Sequence, residues 1–182
     1  MTDHVAVFGA TGVQGKAQLE ALIEAGFHPI AISRSGPQGS THNGAIESRA
    51  ADFGSVDQVE AALSGSHIAF INLPSTSFQK AEHIIAGARV IALAARRVGV
   101  KQLIFNTSMP VPQDKLGFAA QDARHDMRAI LFASGIPTTS LEPVVYLDNL
   151  LQRWAWPALA DRKTLVYAHK PDLEVSWICH AD

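Results

Sequence analysis

The chain has 182 residues, 47% of them apolar and 18% charged, with a formal net charge of −2. That length suits one domain, or one domain and the start of a smaller lobe, and chains near ~150 residues bury roughly 68–70% of their unfolded surface, so the core needs no staples. The near-neutral charge gives no drive toward nucleic acid or anionic lipid, no apolar run approaches the ~20 residues that span a bilayer, and the single Cys179 excludes an internal disulfide. The sequence reads as soluble and cytoplasmic, with neither nucleic acid nor membrane as a partner. Its eight histidines show no metal-ligand spacing, so no metal site is expected.

Short apolar runs alternate with helical periodicity from the first residues. Val5 to Phe8 predicts a strand buried on both faces of a parallel sheet. Val13, Ala17, Ala21 and Ala25 then recur at helical spacing, with Lys16, Glu20 and Glu24 as the wet row and Gly26 as the stop. Pro29 to Ser33 predicts the second strand and Ile46 to Ala51 the third, joined by a turn-rich linker, Gly36 to Gly44. A helix capped by Ser55 or Asp57 runs to Leu63 and closes at Gly65. Ile68 to Leu73 is the fourth strand.

A long helix follows, in which Ile84, Ala88, Ile91, Ala95 and Val98 step by four and three, with Arg96 and Arg97 in the last turn, where cations suit the helix dipole. Gln102 to Asn106 is the fifth strand, Ala119 to Ser134 a helix turning Met127, Ile130 and Leu131 inward, and Thr138 to Leu141 the sixth strand. The Ser108 to Gly117 linker, with Pro110 and Pro112, leaves strand five. Alternating strands and helices predict a Rossmann-type α/β fold, a doubly wound parallel sheet with helices on both faces. The boundary falls at residue 143, and residues 144–182 form the start of a C-terminal lobe that reads as incomplete. Within it Asn149 to Trp156 suggests helix, and Leu165 to Tyr167 and Glu174 to Cys179 suggest strands.

Gly9-Ala-Thr-Gly12-Val-Gln-Gly15 lies between the first strand and the first helix. A glycine at the strand exit permits the tight turn, a second lets backbone approach a pyrophosphate, and a third lets helix and strand pack closely. The helix N-terminus then faces the phosphates with free N–H groups. A glycine pattern alone is weak, but here a buried strand precedes it and an amphipathic helix follows, within a βαβ unit of the right length. Thr11, Val13 and Gln14 fall in the loop, with Thr11 open to a role in the turn alone. No Gly-Lys-Ser/Thr ending is present, which excludes a Walker loop.

About twenty residues on, the second strand ends at Ser33-Arg34-Ser35. NAD-specific folds usually carry an acidic residue there, on the ribose 2′-hydroxyl. Arg34 instead offers a planar fork for a 2′-phosphate, with Ser33 and Ser35 as added donors, so NADP(H) is the expected cofactor; a solvated surface arginine is the plain alternative. Asp52 and Phe53, after strand three, fit the edge and wall of an adenine pocket, or equally a capping aspartate and a core phenylalanine.

Hydride transfer to an ordinary carbonyl needs a proton donor near the developing alkoxide. Short-chain dehydrogenases supply it from Tyr-x-x-x-Lys, but here Tyr146 is followed at that spacing by Leu150 and Tyr167 by Pro171. Ser108 stands at the end of strand five as a polar pocket residue or a turn former. Arg124 and His125 lie where the lysine would fall, and an exposed helix face suits them better than contact with the nicotinamide ribose. Ser108 and His125 are therefore the only, and slender, catalytic candidates.

With these residues in view, the chain resembles the NmrA-like family of atypical short-chain dehydrogenases over most of its length. The resemblance is carried by Gly9 to Gly15, Arg34, Gly87, Ala94-Ala95, Gly99-Val100-Lys101, the stretch Ser134-Gly-Ile-Pro-Thr-Thr-Ser-Leu-Glu-Pro143, and Asn149. It implies NADP(H) bound at the glycine turn and Arg34, with further contacts from Asn72, Leu73 and Pro74. Family members with a lysine early in the Ala119–Ser134 helix have Arg124 or His125 nearest that place here, and family chains continue beyond residue 182.

Two functions fit. One is an NADPH-dependent oxidoreductase acting on quinones or similar small electrophiles, whose delocalised anions tolerate a missing acid. The other is a non-enzymatic redox sensor in which bound NADP(H) alters affinity for a regulatory protein partner.

Overall fold

The computed structural model describes residues 4–36, 46–73, 81–167, 170 and 172–182. Six parallel strands form the main sheet: β1 (His4–Phe8), β2 (His28–Ser33), β3 (Glu47–Ala50), β4 (Ile68–Ile71), β5 (Gln102–Asn106) and β6 (Thr138–Leu141). Their order across the sheet is β3-β2-β1-β4-β5-β6, so the chain works outward from β1 in one direction and then restarts at β4 in the other. That reversal opens a crevice beyond the carboxyl ends of β1 and β4, which is where such sheets bind ligands. Most of the Gly36 to Gly44 linker lies outside the described residues.

Strand periodicity divides the core. Ala6, Phe8, Ile30, Ile32, Ala69, Ile71, Leu103 and Phe105 face one side, where they pack with α2 (Val56–Leu63), α3 (Ala81–Val98) and α4 (Ala119–Phe132). Val7, Ala31 and Phe70 face the other side and meet Leu19 and Leu22 of α1 (Val13–Glu24). Successive residues alternating between two apolar layers explain why these strands read as unbroken apolar runs. Helix α3 is sandwiched between α2 and α4, and its Gly87, Ala88, Ala92, Ala94 and Ala95 are all buried. Small side chains permit that close approach on two sides.

Helix α1 departs from the expected face. Val13 is 58% exposed and Ala21 and Ala25 are also exposed, whereas Gly15 and Leu19 are buried. The alanine row was a poor guide because alanine buries little area. One leucine outweighs several alanines in setting which face turns inward. The wet row, Lys16, Glu20 and Glu24, is exposed as predicted. Ser55 caps α2, its hydroxyl accepting from Gln58 N at 3.4 Å.

The C-terminal segment differs most. A two-residue strand, β7 (Val145–Tyr146), pairs in parallel with β8 (Trp177–Ile178) to form a separate small sheet. In place of a helix over Asn149 to Trp156 there is a 3₁₀ turn, Leu147–Leu151, followed by α5 (Trp156–Arg162). Pro157 accounts for the break: proline is accepted in a first helical turn and not within a helix. Leu165 to Tyr167 is irregular rather than a strand, and only Trp177 and Ile178 of Glu174 to Cys179 are extended in a ladder. No helix among the described residues is long and apolar enough to cross a membrane.

Candidate functional site

A cleft of about 620 Å³ opens at the switch point. The glycine turn forms one end, and Tyr146, Asn149, Gln152 and His180 from the C-terminal segment form part of the opposite wall. Gly9, Thr11, Gly12, Val13, Gln14, Gly15, Ser33, Arg34, Phe53, Asn72, Leu73 and Ser108 all border it.

The three glycines hold their places for different reasons. Gly9 has φ +69°, and a β-carbon there would collide with the Asn72 carbonyl oxygen. A β-carbon at Gly15 would strike the Gly9 carbonyl and lie 2.7 Å from Ala10 Cα. These two are demanded by the protein's own packing. At Gly12 the nearest protein atom would be Gly9 O at 3.3 Å, close but well short of the collisions at the other two glycines. Gly12 is exposed on the cleft, so what its missing side chain leaves open is room for a ligand. No side chain caps α1 and no acidic residue sits in its first turn, which leaves the first-turn N–H groups available to an anion.

Asn72 braces this turn from β4. Its side-chain amide donates to Phe8 O at 3.1 Å and to Gln18 Oε1 at 2.6 Å. Gln14 reaches across the cleft floor to Ser108, amide nitrogen to hydroxyl 2.9 Å. Ser108 adopts the left-handed region at φ +62°, held there by its N–H donating to Asn106 Oδ1 at 2.9 Å. A non-glycine residue in that region carries a conformational cost of order 1–3 kcal/mol. The benefit is a hydroxyl aimed into the cleft.

The remaining sequence-predicted residues divide. Arg34 is exposed on the cleft wall directly after β2. The Ser33 hydroxyl is turned back to donate to Gly36 O at 3.1 Å, and Ser35 does not border the cleft. Phe53 packs edge-to-face on Phe8 at 5.3 Å, as a core phenylalanine would, and also lines the cleft. Asp52 does not line the cleft. Its carboxylate accepts from Gly54 N at 3.0 Å, the local turn that short acidic side chains favour. Leu73 borders the cleft; Pro74 lies outside the described residues.

Arg124 overturns the reading of an exposed helix face, whereas His125 stays partly exposed and away from the cleft. Neighbouring helical residues point about 100° apart, so the two side chains part company. Arg124 is 5% exposed, donates to Thr107 O and Ala120 O, and borders the cleft with what little surface it keeps; burial lowers its pKa from the ordinary arginine value. His125 points the other way, onto a separate depression with Arg128 and Phe132, its Nε2 2.9 Å from Gln113 O. It therefore drops out as a catalytic candidate.

The sequence reading missed the wall opposite the glycine turn. Tyr146 and Asn106 share a hydrogen bond of 3.2 Å, His180 stacks on the Tyr146 ring at 4.1 Å and 12°, and Asp148 Oδ2 lies 2.8 Å from His180 Nδ1. Burial, together with the Asp148 charge, raises the Tyr146 pKa above the ordinary phenol value despite the Asn106 hydrogen bond. The His180 side chain holds the Asp148 carboxyl below its usual range. No local spacing announces this group, because His180 is brought to Tyr146 only by the pairing of β7 with β8. Among the described residues no cluster of His, Cys, Asp and Glu could hold a metal ion.

Strand order, glycine turn and switch-point cleft together define a Rossmann-type fold of the NAD(P)-binding class. The chain belongs to the NmrA-like family, whose model matches residues 1–171. It is similar to a nucleoside-diphosphate-sugar epimerase from Staphylococcus aureus (TM-score 0.79, 20% identity, 100% of this chain and 63% of that one). It is also similar to an NADPH-dependent quinone oxidoreductase from Escherichia coli, complexed with NADPH (0.70, 25%, 87% and 54%). A third likeness is to triphenylmethane reductase from Citrobacter sp., complexed with NADP(H) (0.67, 20%, 85% and 54%). The chain thus spans between about half and two thirds of the length of these proteins.

Proposed function

We propose that the protein binds NADP(H) and reduces quinones or similar small electrophiles. The observation that carries the dinucleotide reading is Gly12: packing explains Gly9 and Gly15, whereas the space at Gly12 opens on a cleft that also meets the uncapped α1 N-terminus. The pyrophosphate would lie on the α1 amides, and Arg34 on the same wall would pair with a 2′-phosphate through charge-assisted bonds. Ser108 and Gln14 would orient the nicotinamide end. When bound, the reduced cofactor supplies a hydride; the protein's share is to hold the acceptor beside it and exclude water. The quinone class rests on the likeness to the quinone oxidoreductase.

The test follows NADPH absorbance with a panel of small quinones, using Gly12→Asp as control. Acceptor-dependent oxidation that disappears in the control is the expected result. NADPH binding without oxidation of any acceptor would overturn the enzyme and favour a redox sensor acting through a protein partner.

A further inference from the structure

Once the Tyr-x-x-x-Lys pair is missing, the cleft needs another source of protons for any acceptor whose reduced form is a poor anion. The wall opposite the glycine turn holds one. His180 is fixed at three places. Its ring lies flat on Tyr146, its Nδ1 meets Asp148 Oδ2 at 2.8 Å, and its backbone N–H donates to the same carboxylate oxygen at 3.2 Å. Tyr146 is itself tied to Asn106 at the end of β5, two residues before Ser108, and both Tyr146 and His180 border the cleft. Nδ1 is buried, and the carboxylate, although off the line of an ideal hydrogen bond, is the charge it faces. That leaves Nε2 as the ring's atom for a ligand, the arrangement in which a carboxylate on one imidazole nitrogen fixes the proton and orientation of the other.

We propose that His180 is the proton donor to the oxygen of a carbonyl or quinone acceptor, with Asp148 as its positioning residue and the Tyr146 ring as the platform. The inference rests on the oxidoreductase reading above. The step balances as follows: the acceptor gains a hydride from the reduced nicotinamide dinucleotide, and its oxygen takes the Nε2 proton of the His180 imidazolium. A neutral hydroquinone or alcohol leaves, the imidazole keeps its Nδ1 proton facing Asp148, and water restores the proton at Nε2. A positioned general acid contributes typically 10²–10⁴-fold to such a step, less where the anion is already delocalised. His180, and not Tyr146, has the role because the phenol is turned to Asn106 and burial weakens it as an acid.

Two acceptors separate proton donation from every other contribution. Methyl-1,4-benzoquinone needs a hydride and a proton; a triarylmethane cation dye takes a hydride at carbon and needs no proton. With NADPH, His180→Phe, which keeps the stack on Tyr146, is expected to lower the ratio of quinone to dye kcat/KM at least tenfold. Asp148→Asn is expected to move that ratio the same way. Equal losses on both acceptors, or no fall in the ratio, would overturn the proposal. A second readout does not depend on turnover: anaerobic methylhydroquinone, added without cofactor, is expected to shift the ¹⁵N resonance of His180 Nε2. An unmoved resonance at saturating hydroquinone would overturn the site. A shift in a wild-type protein that reduces neither acceptor would instead remove the oxidoreductase reading and with it the proton-transfer role.

Discussion

A β-carbon added at Gly15 would press into the Gly9 carbonyl and Ala10 Cα, with backbone on both sides and nothing flexible to yield. Overpacking of that kind costs about 1–3 kcal/mol, so Gly15→Ala is expected to destabilise the free protein by that amount in a urea titration. Gly12→Asp should leave the free protein's stability within about 0.5 kcal/mol, as for a surface change, and abolish NADPH binding by placing a carboxylate where the pyrophosphate would lie. A Gly12→Asp protein that still bound NADPH by calorimetry would remove the reading of the turn as a phosphate site. Arg34 permits a sharper test. Hydrogen bonds to charged groups are worth about 1.5–3 kcal/mol, so Arg34→Gln should weaken NADPH binding about tenfold to a hundredfold and leave NADH binding nearly unchanged. Equal effects on both dinucleotides would return Arg34 to the solvated surface.

At the scale of elements, α1 is held to the sheet by Leu19, not by its alanines. Leu19→Ala is expected to cost about 2–5 kcal/mol, whereas Ala21→Ser, on the exposed side, should change stability by less than about 0.5 kcal/mol; urea midpoints of the two variants check this. Helix α4 is fastened to the end of β6 by polar contacts. Glu142 accepts from Val111 N at 2.9 Å, Arg128 Nη1 at 2.6 Å and the Ser140 hydroxyl at 3.1 Å. Burial pushes the Glu142 carboxyl up, but these three donors together prevail and hold it below the ordinary glutamate value. A carboxyl depressed in the folded state contributes stability that is fully present above its unfolded value, about 4.3, and is lost as pH falls through the lower folded value. Glu142→Gln should therefore flatten the acid limb of a urea-midpoint profile below about pH 5. An acid limb unchanged in this variant would show that Glu142 contributes nothing to it.

Over the whole molecule, the cleft is composite: the glycine turn, β2, β4, β5 and the C-terminal segment each provide part of its wall. A ligand that bridges them stabilises the folded state by mass action, about 2.7 kcal/mol at a concentration of 100 Kd. For a chain of this length that is a rise of about 5–10 °C in Tm. Saturating NADPH should produce it in wild type and not in Gly12→Asp, as read by thermal unfolding. No rise at saturation in wild type would argue against dinucleotide binding by this chain.

The amino-acid sequence determined the main sheet, the glycine turn and the order of elements through residue 141, because each rests on short-range rules: apolar runs for strands, helical spacing for crossovers, glycine where the backbone must turn. It also marked Arg34, whose place is fixed by its distance along one βαβ unit. Tertiary structure alone decided what depends on side chains meeting across the chain. Arg124 went inward and His125 outward because neighbouring helical residues point about 100° apart, and Leu19 outcompeted a row of alanines for the sheet. The Gln14–Ser108 contact joins residues 94 apart in sequence. Tyr146, Asp148 and His180 converge only because a two-residue strand pairs with another thirty residues further along the chain. Such pairings leave no period in the sequence, since their stability comes from contacts between segments and not from the propensities of either one.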